Sequence, residues 1–221
     1  MKTLLKQLVS RSIFVVASLC ASNLVGSVIP IGLGDFPAGT TPITFTGLAD
    51  GTEVNGLTVN GVLFNYLIGG IPTHGTVVID AGPGVTNNIT PPNIVALNST
   101  VAILRMTLPF AVSEVGFGYA TEDVGTFADE VTVSVYDGTS FLGSLSYTGM
   151  SDPFFTGGFA GLQSTSPFSR VDVAFNETRG ATWALDNVVL AAVPEPSAAV
   201  MILSGAVLLY YCRKDLRHRR I

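Results

Sequence analysis

Val131-Thr132-Val133-Ser134-Val135-Tyr136-Asp137-Gly138 is the stretch that decides the fold. Its valines fall at every second position, with polar or amphipathic residues between them. That is the period of a strand with one face in a core and the other toward solvent. Asp137-Gly138 is a turn pair, and Phe141-Leu-Gly-Ser-Leu145-Ser-Tyr147 resumes the pattern beyond it, so two antiparallel strands are predicted.

Working outward, the same signature recurs in both directions. Toward the C-terminus, Gly157-Gly158-Phe159-Ala-Gly161-Leu162 reads as a strand with bulges or a close approach. Val171, Val173 and Phe175 then alternate, and Trp183 to Leu190 forms a last strand. Toward the N-terminus, Val112 to Tyr119, Val101 to Leu108 and Thr76 to Ile79 read as strands, with Asn87 to Asn93 as the longest loop. Asn60-Gly61 turns Leu57-Thr-Val59 into Val62-Leu-Phe64-Asn-Tyr66, and Ile43-Thr-Phe-Thr46 alternates ahead of them. About nine to eleven short strands separated by turn residues, with no long amphipathic helix, predict an all-β fold. The expected architecture is an antiparallel β-sandwich of the jelly-roll kind over residues 27–192, flanked by an N-terminal signal helix and a C-terminal transmembrane helix.

The net charge of −5 over 221 residues conceals an asymmetry. Between residues 29 and 192 stand 3 basic residues (Arg105, Arg170, Arg179) and 14 acidic ones, which leaves that region at −11. Such a domain repels nucleic acid and anionic lipid. Cys20 and Cys212 lie in the two apolar end segments, so the domain between them has no disulfide, thiolate nucleophile or cysteine metal site.

The remaining basic residues mark the ends. Lys2, Lys6 and Arg11 precede an apolar run from Ser12 to Leu19 and then Ala21 and Ser22. Basic, apolar, small is the order of a secretory signal peptide, assigned to residues 1–26. At the other end Val193-Pro194-Glu195-Pro196-Ser197 leads into an apolar stretch. Arg213, Lys214, Arg217, Arg219 and Arg220 follow as a cytoplasmic basic anchor. Ser197 to Cys212 is 16 residues. At ~1.5 Å per residue it reaches about 24 Å, short of a ~30 Å hydrocarbon core. That length suits a short span, or a temporary anchor awaiting processing.

Pro194-Glu195-Pro196, a short apolar helix and an Arg-rich end together resemble the PEP-CTERM sorting signal over residues 193–221. The resemblance implies cutting near the motif by an exosortase-like membrane protease. It implies an inner-membrane precursor that passes to the cell surface or to an exopolysaccharide matrix. Within the domain, Ile43 to Leu48, Gly61 to Phe64, Val115-Gly-Phe117 and Trp183-Ala-Leu-Asp186-Asn187-Val188 look like the sandwich domains of such proteins, which are similar to carbohydrate-binding modules. Such folds often hold a structural Ca²⁺ between an early strand and the last. The comparison implies Asp186 as a metal ligand, while Thr46 stands where an acidic residue is frequent.

Catalytic signals are sparse. His74 is the one His of the domain, in a Pro-Thr-His-Gly loop, and no Gly-x-Ser-x-Gly elbow accompanies it. Glu122-Asp123 and Asp129-Glu130 flank one loop and are the candidates for paired carboxylates or cation binding; a solvated acidic loop is the plainer reading. Among the aromatics, Tyr136 alternates out of phase with the core valines and Tyr147 sits beyond them in the paired strand, which makes both surface candidates for stacking on sugar. The sequence therefore reads as a non-enzymatic structural or adhesion protein of the surface or biofilm matrix. A carbohydrate-binding module is the alternative, and a glycosidase ranks behind both. The partners expected are the protease, the membrane and extracellular polysaccharide, with no nucleic acid.

The sorting motif generates a test. Proline restricts itself and its predecessor to extended backbone, and Glu195 holds the site at the membrane surface. Replacing Pro194-Glu195-Pro196 with three alanines is expected to leave export intact while uncleaved precursor accumulates in the membrane fraction. Immunoblotting of membrane and matrix fractions reads it, and equal processing of both forms would make the segment a plain anchor.

Overall fold

The computed structural model describes residues 27–80, 88–96, 102–122, 125–152, 155–176 and 182–192. Both targeting ends, including Pro194, Glu195, Pro196 and the basic cluster from Arg213 to Arg220, lie outside the described residues. Among the described residues no helix is long and apolar enough to cross a membrane.

The alternating valines do form a strand. In β8 (Phe127–Asp137), Val131, Val133 and Val135 are buried while Thr132, Ser134 and Tyr136 lie on the other face. Asp137-Gly138 turns it into β9 (Ser140–Asp152), paired antiparallel from Val131 opposite Tyr147 to Asp137 opposite Ser140. Asn60 and Gly61, with φ of 49° and 83°, make the tight turn between β2 (Leu57–Val59) and β3 (Val62–Ile68). Positive φ at both central residues matches the right-handed twist of the flanking strands.

Two elements exceed the expectation of short strands. Val101–Leu108 and Val112–Tyr119 belong to one 20-residue strand, β7 (Ala102–Thr121). Gly157–Leu162 and Val171–Phe175 likewise belong to β10 (Phe155–Phe175) of 21 residues. The two run antiparallel side by side, with register shifts between Gln163 and Arg170. Pro109, which has no N–H to give to a ladder, falls at this irregularity. A bulge bends a strand without ending it, so one hydrogen-bonded strand serves two layers.

Along its first half β7 lies between β3 and β10; along its second it lies between β10 and β11 (Trp183–Ala192). The first layer is thus β2-β3-β7-β10-β8-β9. The second adds β11, β6 (Asn93–Ala96) and β5 (Val77–Asp80), with β1 (Val28–Pro30) against the first half of β10. The two-residue β4 (Ile71–Pro72) closes the far edge of β3. The described residues are therefore all-β and antiparallel. Two expectations are corrected: Ile43–Thr46 makes only an isolated bridge, Ile43 to Val188, and Asn93–Ala96 is a strand beyond the predicted loop.

One apolar core lies between the layers. Phe64, Tyr66, Leu104, Met106, Val133, Val171 and Val173 come from the first layer; Phe117, Tyr119, Leu185 and Trp183 come from the second. Trp183 stacks on Phe175 with centroids 4.3 Å apart and planes 8° apart, and meets Tyr66 at 6.2 Å.

The outer face of the second layer is covered. A Cβ on Gly116 would strike the rings of Phe159 and Phe36, and one on Gly161 would strike the carbonyl of Ile31. A Cβ on Gly118 would strike the Asn88 carbonyl. These glycines let the lead-in segment and the Asn88 loop lie directly on the sheet. Gly118→Ala is expected to lower stability by about 2 kcal/mol through overpacking. Gly34→Ala, with nothing within 4 Å, should stay within about 0.5 kcal/mol; urea melts of the two variants check it.

Candidate functional site

Among the described residues the outer face of the first layer is open at Thr107, Phe141, Ser144 and Ser146, and its residues are set by register. Leu63, Thr107, Arg170, Tyr136 and Phe141 form one row across β3-β7-β10-β8-β9. Asn65, Arg105, Asp172, Ser134 and Ser144 form the next, and Leu67, Ile103, Ala174, Thr132 and Ser146 the third. With neighbouring strands ~4.8 Å apart, each row spans about 19 Å.

Asp172 is the electrostatic centre of this face. The Arg105 fork closes on it with Nε to Oδ1 at 2.7 Å and Nη2 to Oδ2 at 2.8 Å. This bidentate, charge-assisted pair is the stronger form of ion pair, and its hydrogen bonds hold the Arg105 pKa above the ordinary arginine value. Arg170 Nε stands 3.6 Å from the same Oδ1, too far for a hydrogen bond. The guanidinium of Arg170 instead lies over the Tyr136 ring, 3.7 Å from its centroid, an attraction of about 0.5–2 kcal/mol. Tyr136 meets Phe141 edge-on at 5.4 Å, and Phe141 is 58% exposed. Around them stand the hydroxyls of Thr107, Thr132, Ser134, Ser144 and Ser146; Thr132 and Ser146 share a 2.9 Å hydrogen bond.

Tyr136 thus lies on the outer face, as its phase predicts. Tyr147 does not serve as a platform: it is half-buried, and its hydroxyl donates to the Gly161 carbonyl at 2.6 Å. Tyr119 is buried and donates to the Thr148 carbonyl, and burial with the nearby Glu130 charge pushes its pKa up to about 12. Arg105, Arg170, Asp172 and Phe141 were not singled out from the sequence. The available signal was charge: two of the domain's three basic residues sit on this one face.

Asp186 lies elsewhere, on the outer face of the second layer beneath the Asn88 loop. It is opposite Gly118 and 1% exposed. Its Oδ2 accepts the Thr90 N–H at 2.9 Å, and Asn187 Nδ2 donates to the Asn88 carbonyl at 2.7 Å. Oδ1 is buried with no hydrogen-bond partner among the described residues. Burial pushes the Asp186 pKa up to about 6 against the pull of the Thr90 and Asn187 amides. Calcium takes six to eight oxygens. Here one carboxylate stands near a carbonyl already engaged by Asn187, Thr46 is exposed, and the described residues hold no cluster of three or more His, Cys, Asp or Glu. The described residues do not fit the ion.

The other candidates disperse. His74 is exposed, with Nε2 3.1 Å from Asn55 Nδ2. Asn55 Oδ1 accepts the Tyr66 N–H, which aims the Asn55 amide nitrogen at the ring. Glu53 accepts the Gly75 and Asn55 amides, so this group fastens a turn. Glu130 is buried while Asp129 is exposed at a φ of 55°. The predicted pair is therefore split between core and solvent, because the local irregularity of β8 turns the chain there. Glu122 is exposed; Asp123, Phe154 and Arg179 lie outside the described residues.

No protein-family model matches the chain, and no curated protein matches it. Solved structures similar to it include a CBM29-2 mutant of the family 29 carbohydrate-binding modules complexed with cellulohexaose. That match has a TM-score of 0.39 and 10% identity over 76% of this chain and 92% of that one. A mutant complexed with mannohexaose gives 0.38 and 9% over 64% and 89%, and a further family 29 module gives 0.36 and 12% over 66% and 93%. Likenesses this remote assign neither family nor ligand.

Asp186 generates a pH prediction. A carboxyl whose folded pKa exceeds its unfolded value contributes stability that is complete below the unfolded pKa and lost as pH rises through the folded one. The melting temperature should therefore fall between pH about 4 and about 7. Asp186→Asn, which keeps the acceptor for Thr90, should flatten that slope and melt no lower than the native protein at pH about 7. Added calcium should change neither curve.

Proposed function

We propose that this protein is an exported, non-catalytic module of the cell surface or extracellular matrix that binds polysaccharide on the outer face of its first layer. The observation that carries the reading is exposed Phe141 beside the Arg170–Tyr136 stack, set among five hydroxyl side chains. An apolar plate flanked by hydroxyls suits a sugar, whose ring has apolar C–H faces and a polar rim. A protein partner would call for a desolvated apolar centre, and Phe141 alone is a small one.

The order of charges at both ends supports export and membrane sorting, with the PEP-type signal handing the chain to an exosortase-like protease. This face favours the carbohydrate-binding alternative over a purely structural or adhesive role. The division of Asp129 and Glu130 between solvent and core disfavours glycoside hydrolysis, which needs two carboxyls facing one bond.

The mature protein should bind at least one bacterial or plant polysaccharide in a glycan array without shortening it. Phe141→Ala should weaken that binding at least about tenfold, as truncating a central aromatic anchor does, with no change in melting temperature. Absence of binding across the array would return the structural role to first place.

A further inference from the structure

Resting on that reading, we propose that the polysaccharide is acidic and that Arg170 reads its carboxylate groups. The region from residue 29 to 192 carries −11, yet the three paired rows of the outer face hold two arginines and one aspartate. This face is therefore positive on a negative molecule. A polyanion repelled by the acidic domain as a whole meets attraction at these rows, with exposed Asp137 at their edge, and the repulsion orients its approach.

The division of labour between the arginines says which one faces the ligand. Arg105 spends its fork on both oxygens of Asp172, whose side chain is 8% exposed. Arg170 reaches that carboxylate only at 3.6 Å, and its Nε is buried with no hydrogen-bond partner among the described residues, so the terminal nitrogens are the donors left for a ligand. Its charge is thus the incompletely compensated one. Planar guanidinium donors match a carboxylate in a two-bond fork, which an ammonium does not. The Tyr136 ring beneath restrains the guanidinium plane, so less freedom is lost on binding.

The same stack argues against a neutral ligand. A neutral-sugar platform presents bare aromatic faces, and here one face of Tyr136 is occupied by Arg170 at 3.7 Å. What remains is Phe141, the guanidinium and the hydroxyls of Ser134 and Ser144 in the adjacent row. A uronate ring placed against Phe141 with its carboxylate on Arg170 uses each of these.

The experiment compares polygalacturonate with its fully methyl-esterified form, the same backbone without charge, by titration calorimetry on the native mature protein. Polygalacturonate should bind at least about tenfold tighter than the ester, the size expected for a charge-assisted pair. The difference should shrink between about 50 mM and about 500 mM salt. Arg170→Gln should abolish the preference while Phe141→Ala weakens both polymers alike. Arg170→Lys, which keeps the charge and loses the fork, should fall between. Equal binding of the two polymers by the native protein overturns the acidic ligand and leaves the polysaccharide reading standing. A preference for polygalacturonate that survives Arg170→Gln overturns the assignment to Arg170. Binding of neither polymer, with a concentration-dependent dimer that Arg170→Gln abolishes, makes the occupant an acidic surface of a second copy and overturns the proposal.

Discussion

Met106 opposite Val171, and Leu104 opposite Val173, lock β7 and β10 in one register, because these four side chains are buried in the core between the layers. A slip of one residue would turn them outward and bring Arg105, Arg170 and Asp172 into the apolar interior. The same pairing sets Asp172 across from Arg105, and the period of two sets Arg170 beside it on the same face. The ion pair follows from this apolar contact, while the cation–π stack needs Arg170 opposite Tyr136 in the β10–β8 pairing and Phe141 stands beside Tyr136 through the register shift between β8 and β9. Removing Asp172 would leave two arginines close together on one sheet, so the carboxylate also makes the face tolerable for the fold.

The two layers differ in what lies outside them. On the second layer, Gly116, Gly118 and Gly161 bring loops and the lead-in segment down onto the strands, and β7 is buried from Val115 to Thr121. Asp186 lies beneath this cover, where burial raises its pKa. On the first layer Thr107, Ser144, Ser146 and Phe141 are exposed. The glycines thus close this part of the second layer's outer face, and the proposed recognition falls to the first layer.

Much of the fold was legible in local pattern. The alternation of Val131, Val133 and Val135, and the turn pairs Asn60-Gly61 and Asp137-Gly138, act within a few residues and appear as read. The continuity of β7 and β10 was not legible, since Pro109 and Pro167 look like strand ends when only neighbours in sequence are considered. Long-range pairing carries the strands through. Likewise Tyr147 does not share the face of Tyr136: it pairs opposite buried Val131, on the core side of β9, and its hydroxyl reaches the Gly161 carbonyl. The Arg170–Tyr136–Phe141 group joins three strands, so no window of sequence contains it. Its one trace was the scarcity of basic residues in the domain.

The most direct measurement is an NMR titration of the isotopically labelled mature protein with a polygalacturonate oligosaccharide, following backbone amides on both layers. Shifts concentrated at Thr107, Ser134, Tyr136, Phe141 and Arg170, with Gly116, Gly118 and Asp186 unmoved, are the predicted result. Shifts centred on the Asn88 loop and Asp186, with the outer face of β8 and β10 silent, would contradict the placement of the site.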